Sequence, residues 1–72
     1  MIDWTTCPVV ERSAERLSGT WVFFGTRVPV KALFENLEDG ATVDLFLAWF
    51  PGVTKAQAVG VLKFAKATLA IA

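Results

Sequence analysis

The sequence predicts a mostly α-helical fold in which two short N-terminal β-strands precede three helices. The apolar run from Trp21 to Phe24 lacks the alternation of a half-exposed strand, which indicates a strand covered on both faces. Helix signals follow it: Pro29 is favourable in a first helical turn, Gly40 at a helix end, and Pro51 as a helix breaker. The strands therefore belong to the first half of the chain and the helices to the second.

The chain of 72 residues is short enough to form a single domain. We expect residues 1–8 to form an irregular arm, residues 9–28 an antiparallel ribbon, and residues 29–72 a three-helix bundle. A lone hairpin is marginally stable in water, so the ribbon is predicted to dimerise through the strand of residues 21–24.

Capping signals divide the predicted bundle into helices. The first helix runs from Pro29 to Asp39, and Thr42 is a favourable N-cap for the second. The second helix is short and very apolar, so its last residues, Trp49 and Phe50, are expected in the core.

The third helix is predicted to begin at a capping box formed by Thr54 and Gln57 and to run to about residue 70. The tight turn before it, residues 51–53, gives the spacing of a helix-turn-helix. At 100° per residue, both sides of this helix are apolar: Ala58, Val61, Leu62, Ala65 and Leu69 on the core side, and Gly60, Phe64, Ala67 and Ile71 opposite. The second side has no predicted cover within one chain, which indicates a partner.

The composition also indicates a partner. Hydrophobic residues make up 54% of the chain, and one cysteine and no histidine leave neither a disulfide nor a zinc site to stabilise so small a core. We therefore expect a homodimer or higher oligomer with the excess apolar surface at an interface. The predicted interface residues are Trp21, Val22, Phe23, Phe24, Arg27, Phe64 and Ile71.

The residue inventory argues against catalysis. Histidine and tyrosine are absent, Cys7 has no evident activating base, and the acidic residues show no paired geometry. We predict no catalytic residue, metal site, cofactor or small-molecule substrate. No apolar run approaches the ~18–20 residues that span a bilayer, and the start lacks a signal-peptide pattern, so a cytoplasmic location is expected.

Nucleic-acid binding receives mixed support. The formal net charge is +0, which argues against strong binding by one chain, yet residues 45–72 contain three lysines and no acid. The candidate DNA-binding residues, at and beyond the start of the third helix, are Thr54, Lys55, Gln57, Lys63 and Lys66. The alternative interpretation is a helix cap followed by a solvated lysine face.

The segment Gly25-Thr26-Arg27 allows two interpretations. In the structural one, Gly25 supplies a positive φ angle, Thr26 bonds to local backbone, and Arg27 pairs with helix carbonyls or with Glu35 or Glu38. In the functional one, the Arg27 guanidinium contacts a partner's acidic site or a phosphate.

Several of these positions resemble the pattern of the domain of unknown function 433. The matching residues lie between positions 17 and 66: Gly19, Val22, Phe23, Gly25 to Val30, Gly40, Phe50, Pro51, Val53, Thr54, Gln57, Leu62, Phe64 and Ala65. The resemblance implies a small prokaryotic domain with a homeodomain-like helix-turn-helix fold, whose members act as antitoxins and are often encoded beside a PIN-type nuclease toxin. Trp21, Phe24 and Val59 depart from the polar or proline residues usual in that family, which favours a protein interface over nucleic-acid contact.

The resulting hypothesis is an antitoxin-like interaction protein. It homodimerises, occludes a PIN-type nuclease toxin by stoichiometric binding, and binds its own operator DNA as a secondary role. Two alternatives stay open: a stand-alone DNA-binding transcriptional regulator, and a structural protein-interaction module without DNA binding.

Overall fold

The computed structural model describes residues 3–12 and 19–70. The arm contains one 3-10 turn, Trp4–Thr6. The strands are β1 (Val10–Glu11) and β2 (Val22–Phe23), and the helices are α1 (Val30–Glu38), α2 (Val43–Trp49) and α3 (Lys55–Ala70). The predicted order of a short antiparallel ribbon followed by three helices is confirmed. No helix within the described ranges is both long and apolar enough to cross a membrane.

Strand β2 lies between two other backbone segments. On one side it pairs antiparallel with β1, with Val10 opposite Phe23. On the other side the Phe23 N–H donates to the Val28 carbonyl at 3.0 Å, and the Val30 N–H donates to the Trp21 carbonyl at 2.9 Å. Both backbone edges of β2 are therefore occupied within one chain, so a second copy would have to displace one of these segments to pair with β2, and dimerisation itself stays a prediction.

Strand β2 ends one residue earlier than the predicted strand of residues 21–24. Phe24 begins a turn in which Gly25 has a φ of 76°, as expected for a position that favours glycine. The Gly25 N–H donates to the Glu11 carboxylate at 2.7 Å, which ties the turn to β1. Phe24 consequently points out of the ribbon, with 61% of its surface exposed.

The helix boundaries follow the predicted local signals. Pro29 has an extended backbone and immediately precedes α1, so it is the N-cap rather than a residue of the first turn. Gly40 follows the helix with a φ of 94°. The Thr42 side chain accepts a hydrogen bond from the Leu45 N–H at 3.2 Å, which confirms it as the cap of α2.

Phe46 is the aromatic centre of the core. Its ring centroid lies 6.0 Å from that of Phe23 and 4.8 Å from that of Phe50. Phe46 therefore packs α2 against β2, and Phe50, the C-cap residue of α2, packs against the same ring. The largest fully buried side chains are Phe23, Phe46, Leu33, Val22 and Val61. Trp49, predicted in the core, is 57% exposed. The inward side of this short helix is already filled by Phe46 and, just beyond its end, Phe50.

The N-terminal arm covers the second apolar side of α3. A Cβ built on Gly60 would lie 3.3 Å from Val9, and the Trp4 ring stacks on Phe64 with centroids 5.3 Å apart. The expectation that this side lacks cover within one chain is therefore wrong for its middle turns. The opposite error occurs at Leu69, which was expected in the core and is 71% exposed.

Candidate interaction surface

The residues at the start of α3 are engaged inside the chain. The Thr54 N–H donates to Gln57 Oε1 at 3.0 Å, and the Gln57 N–H donates to Thr54 Oγ1 at 3.1 Å, which confirms the capping box. The Gln57 Nε2 also donates to the Phe24 carbonyl at 2.9 Å. Both polar atoms of the Gln57 amide are therefore already hydrogen-bonded within the chain, and the structural interpretation accounts for this residue.

The three lysines of α3 point into solvent on one side of the helix. Lys63 and Lys66 are exposed, and they fall within about 80° of Lys55 on a helical wheel. The Lys55 Nζ lies 3.9 Å from Asp44 Oδ1, with both side chains more than two-thirds exposed. A pair this exposed contributes little to stability, so all three lysines remain available to an anionic partner.

Arg27 is exposed beside a turn that Thr26 fixes. The Thr26 Oγ1 donates to the Phe23 carbonyl at 2.8 Å and accepts from the Val28 N–H at 3.1 Å. Within the described residues, the Arg27 guanidinium forms no ion pair with an acid of α1. The predicted local role of Thr26 is confirmed, and the predicted pairing of Arg27 with Glu35 or Glu38 is wrong.

The predicted interface residues differ in how much of their surface is exposed in a single chain. Val22 and Phe23 have 1% and 0% of their surface exposed, so a single chain already covers both of these predicted interface residues. Trp21 is half-buried beneath Arg12, whose guanidinium carbon lies 4.8 Å from the ring centroid. Phe64 is half-buried under the arm. Ile71 lies outside the described residues.

Two of the exposed large apolar side chains among the described residues lie on α2. Leu45 and Trp49 are four residues apart and 47% and 57% exposed, and Ala48 lies exposed between them. We call these three residues the α2 apolar face. Sequence reasoning missed this face because nearly every residue of α2 is apolar. The charged Asp44, which is adjacent to Ala48 on the helical wheel, is the signal that indicates the outward direction.

The turn that carries Phe24 lies beside the connection between α2 and α3. Gln57 binds its backbone carbonyl, and a Cβ built on Gly52 would lie 4.0 Å from Thr26 Cγ2. The exposed Phe24 ring and the exposed Arg27 therefore belong to a segment that packs against the α2–α3 connection and the start of α3. This arrangement brings together the turn and the helix that carry large apolar side chains in contact with water.

The described residues offer little for metal or acid–base chemistry. Residues 3–12 and 19–70 contain no group of three histidine, cysteine or acidic side chains arranged to hold a metal ion. Cys7 is a free, buried thiol within the core. The pKa of Asp3 is held below its ordinary value because its carboxylate accepts hydrogen bonds from the Thr5 hydroxyl and the Thr5 N–H.

Comparison with known proteins gives one positive result. The family described as "Protein of unknown function (DUF433)" matches residues 10–65, which include both strands, α1, α2 and most of α3. No curated protein and no solved structure matches the chain. Because the match covers well over half of the sequence, the chain belongs to the DUF433 family.

Proposed function

We propose that this chain is a cytoplasmic, antitoxin-like interaction protein that acts by binding another protein. The α2 apolar face carries the proposal. Trp49 and Leu45 remain in water while Phe23, Phe46 and Phe50 pack together in the same small domain. Complete burial of a fully exposed apolar side chain is worth roughly 1.5–3 kcal/mol, and the half of Leu45 and Trp49 that is still exposed can contribute its share of this to binding.

The chemistry of the face favours a protein partner over nucleic acid. Interface cores between proteins are enriched in aromatic residues, and tryptophan is the commonest side chain to dominate their binding energy. Protein–DNA interfaces are more polar and strongly positive. Leu45, Ala48 and Trp49 supply no charge or hydrogen-bond donor to a phosphate except the Trp49 indole N–H.

Arg27 supports a nuclease toxin of the PIN type as the partner. The guanidinium is exposed, lacks an acidic partner among the described residues, and lies three residues from the exposed Phe24. A planar guanidinium binds carboxylates in a bidentate manner, and the carboxylates of a metal-dependent nuclease site are such a target. The mechanism is occlusion: one antitoxin chain covers one active site and no chemical step occurs.

The test uses the protein encoded beside this chain, if that protein carries the acidic cluster of a nuclease. Calorimetry measures its affinity for the purified chain, and a ribonuclease assay measures inhibition. We expect a 1:1 complex, and we expect the double variant Leu45→Ser, Trp49→Ser to bind at least about 30-fold more weakly, because two interface anchors are lost. Leu69→Ser is the matched control, since it removes an exposed leucine from α3.

Two results would count against the proposal. One is the absence of binding at micromolar concentrations to any nuclease-like neighbour. The other is equal loss of affinity in the α2 variant and the Leu69→Ser control, which would show that general surface apolarity, not this face, drives association.

Operator DNA is a secondary candidate ligand, supported by the three solvent-facing lysines of α3. A homodimer would double their number, and it would form through surfaces other than β2, whose edges are both occupied. Fluorescence anisotropy with the chain's own upstream DNA tests this role. We expect affinity to fall steeply with salt and to weaken in the Lys63→Ala, Lys66→Ala variant; a flat salt response would exclude the DNA role.

A further inference from the structure

A second apolar feature lies on another part of the molecule, between the arm, the approach to β2 and the start of α1. It is a cleft of about 320 Å³ whose described lining residues are Trp4, Gly19, Thr20, Trp21, Val30, Lys31 and Phe34. None of these residues belongs to the α2 apolar face or to the α3 lysine side. The cleft is therefore a feature that the proposed antitoxin function does not use.

Aromatic rings form most of the cleft wall. Trp4, Trp21 and Phe34 come from three separate segments, and the Trp4 and Phe34 rings are tilted by 51° with centroids 6.4 Å apart. A volume near 320 Å³ is at the lower end of small-molecule sites, which are mostly apolar with a few placed polar groups. A flat aromatic ligand of one or two rings fits such a wall by offset or edge-to-face stacking.

The charge around the cleft has one sign. Lys31 is the single charged residue among the described lining residues, and its side chain is exposed. Lys31 is also the second residue of α1, so the positive end of the helix dipole faces the same region. The Thr20 hydroxyl adds a further hydrogen-bond donor. An acidic ligand group would meet no described carboxylate in this lining.

We propose that this cleft binds a small aromatic monocarboxylate. The ring lies among Trp4, Trp21 and Phe34, and the carboxylate lies at Lys31 near the first turn of α1. For a probe of about thirteen non-hydrogen atoms, such as 2-naphthoate, a Kd on the order of 1 mM is expected.

The three tryptophans give an internal control for the test. Trp4 and Trp21 line the cleft, whereas Trp49 lies on α2. We titrate the nitrogen-15-labelled chain with 2-naphthoate and follow the three indole N–H signals, assigned by single Trp→Phe variants. The signals of Trp4 and Trp21 should shift and saturate together, while the signal of Trp49 stays in place. Equal shifts at all three signals, or no saturation by about 10 mM, would overturn the proposal.

The charge is tested separately from the aromatic wall. The neutral amide 2-naphthamide should bind the unaltered chain about three-fold more weakly than the carboxylate, as expected for an exposed charge pair. Lys31→Met should remove that difference, whereas Lys66→Met, an exposed lysine outside the cleft, should preserve it. Equal affinity for acid and amide in the unaltered chain would contradict the carboxylate assignment.

Discussion

The side-chain amide of Gln57 joins the start of α3 to the backbone carbonyl of Phe24, with Nε2 and the carbonyl oxygen 2.9 Å apart. The two residues are far apart in sequence, and this hydrogen bond joins the turn after β2 to the last helix. The same side chain accepts from the Thr54 N–H to complete the capping box. Gln57 therefore caps the start of α3 and also holds it against the turn that carries Phe24.

We expect Gln57→Ala to lower the free energy of unfolding by roughly 1–2 kcal/mol, because a cap bond and a tertiary hydrogen bond are both lost. Urea denaturation followed by circular dichroism measures the change. Lys66→Ala, at an exposed position on the same helix, is the control and should change stability by less than about 0.5 kcal/mol. Equal effects in the two variants would show that the Phe24 contact contributes nothing.

The contrast between Thr54 and Trp49 shows which parts of this fold were predictable. Caps and turn glycines depend on a few neighbouring residues, so Thr42, Thr54 and Gly40 were assigned correctly from sequence. Trp49 was misplaced because a seven-residue helix whose residues are all apolar except Asp44 carries little directional signal. The orientation of α2 is set by the aromatic ring that packs against Phe23, which is Phe46, and this contact is tertiary.

The cleft and the cover of α3 were missed for a different reason. Both require the N-terminal arm, which the sequence predicts to be irregular and therefore without a fixed position. Trp4 contacts Phe34 of α1 and Phe64 of α3, which are distant in sequence, so no sequence window contains both contacts. At Val22 and Phe23, one chain supplies cover that had been assigned to a second copy.

Gly60 is predicted to be required for close packing of the arm on α3. A Cβ at this position would meet Val9 at 3.3 Å, so Gly60→Leu should overpack the contact and lower stability by about 1–3 kcal/mol despite the better helix propensity of leucine. Thermal unfolding measures the loss. In a Val9→Ala background the same substitution should cost clearly less, and an unchanged cost would place the strain elsewhere.

Trp49 is predicted to be dispensable for folding. Trp49→Gln should change the free energy of unfolding by less than about 0.5 kcal/mol, because the side chain is mostly in water. Phe46→Ala, one turn earlier on the buried side, should cost about 3–5 kcal/mol. Chemical denaturation of both variants makes the comparison, and a similar loss in each would mean that Trp49 is packed in solution and is not available to a partner.

Asp3 provides a pH test of the arm. Its folded pKa lies below the ordinary value of 3.8 because the Thr5 hydroxyl and then the Thr5 N–H stabilise the carboxylate. A lowered folded pKa means that the carboxylate contributes its stabilisation at pH values above 3.8 and loses it as the pH falls through the folded pKa.

Carbon-13 NMR titration of the Asp3 carboxyl should show the low value. Thr5→Val removes the larger contribution, that of the hydroxyl, and should raise the pKa towards 3.8, whereas Thr6→Val, the neighbouring exposed threonine, should leave it unchanged. An Asp3 pKa that is the same in both variants would show that the Thr5 hydroxyl does not donate to this carboxylate in solution.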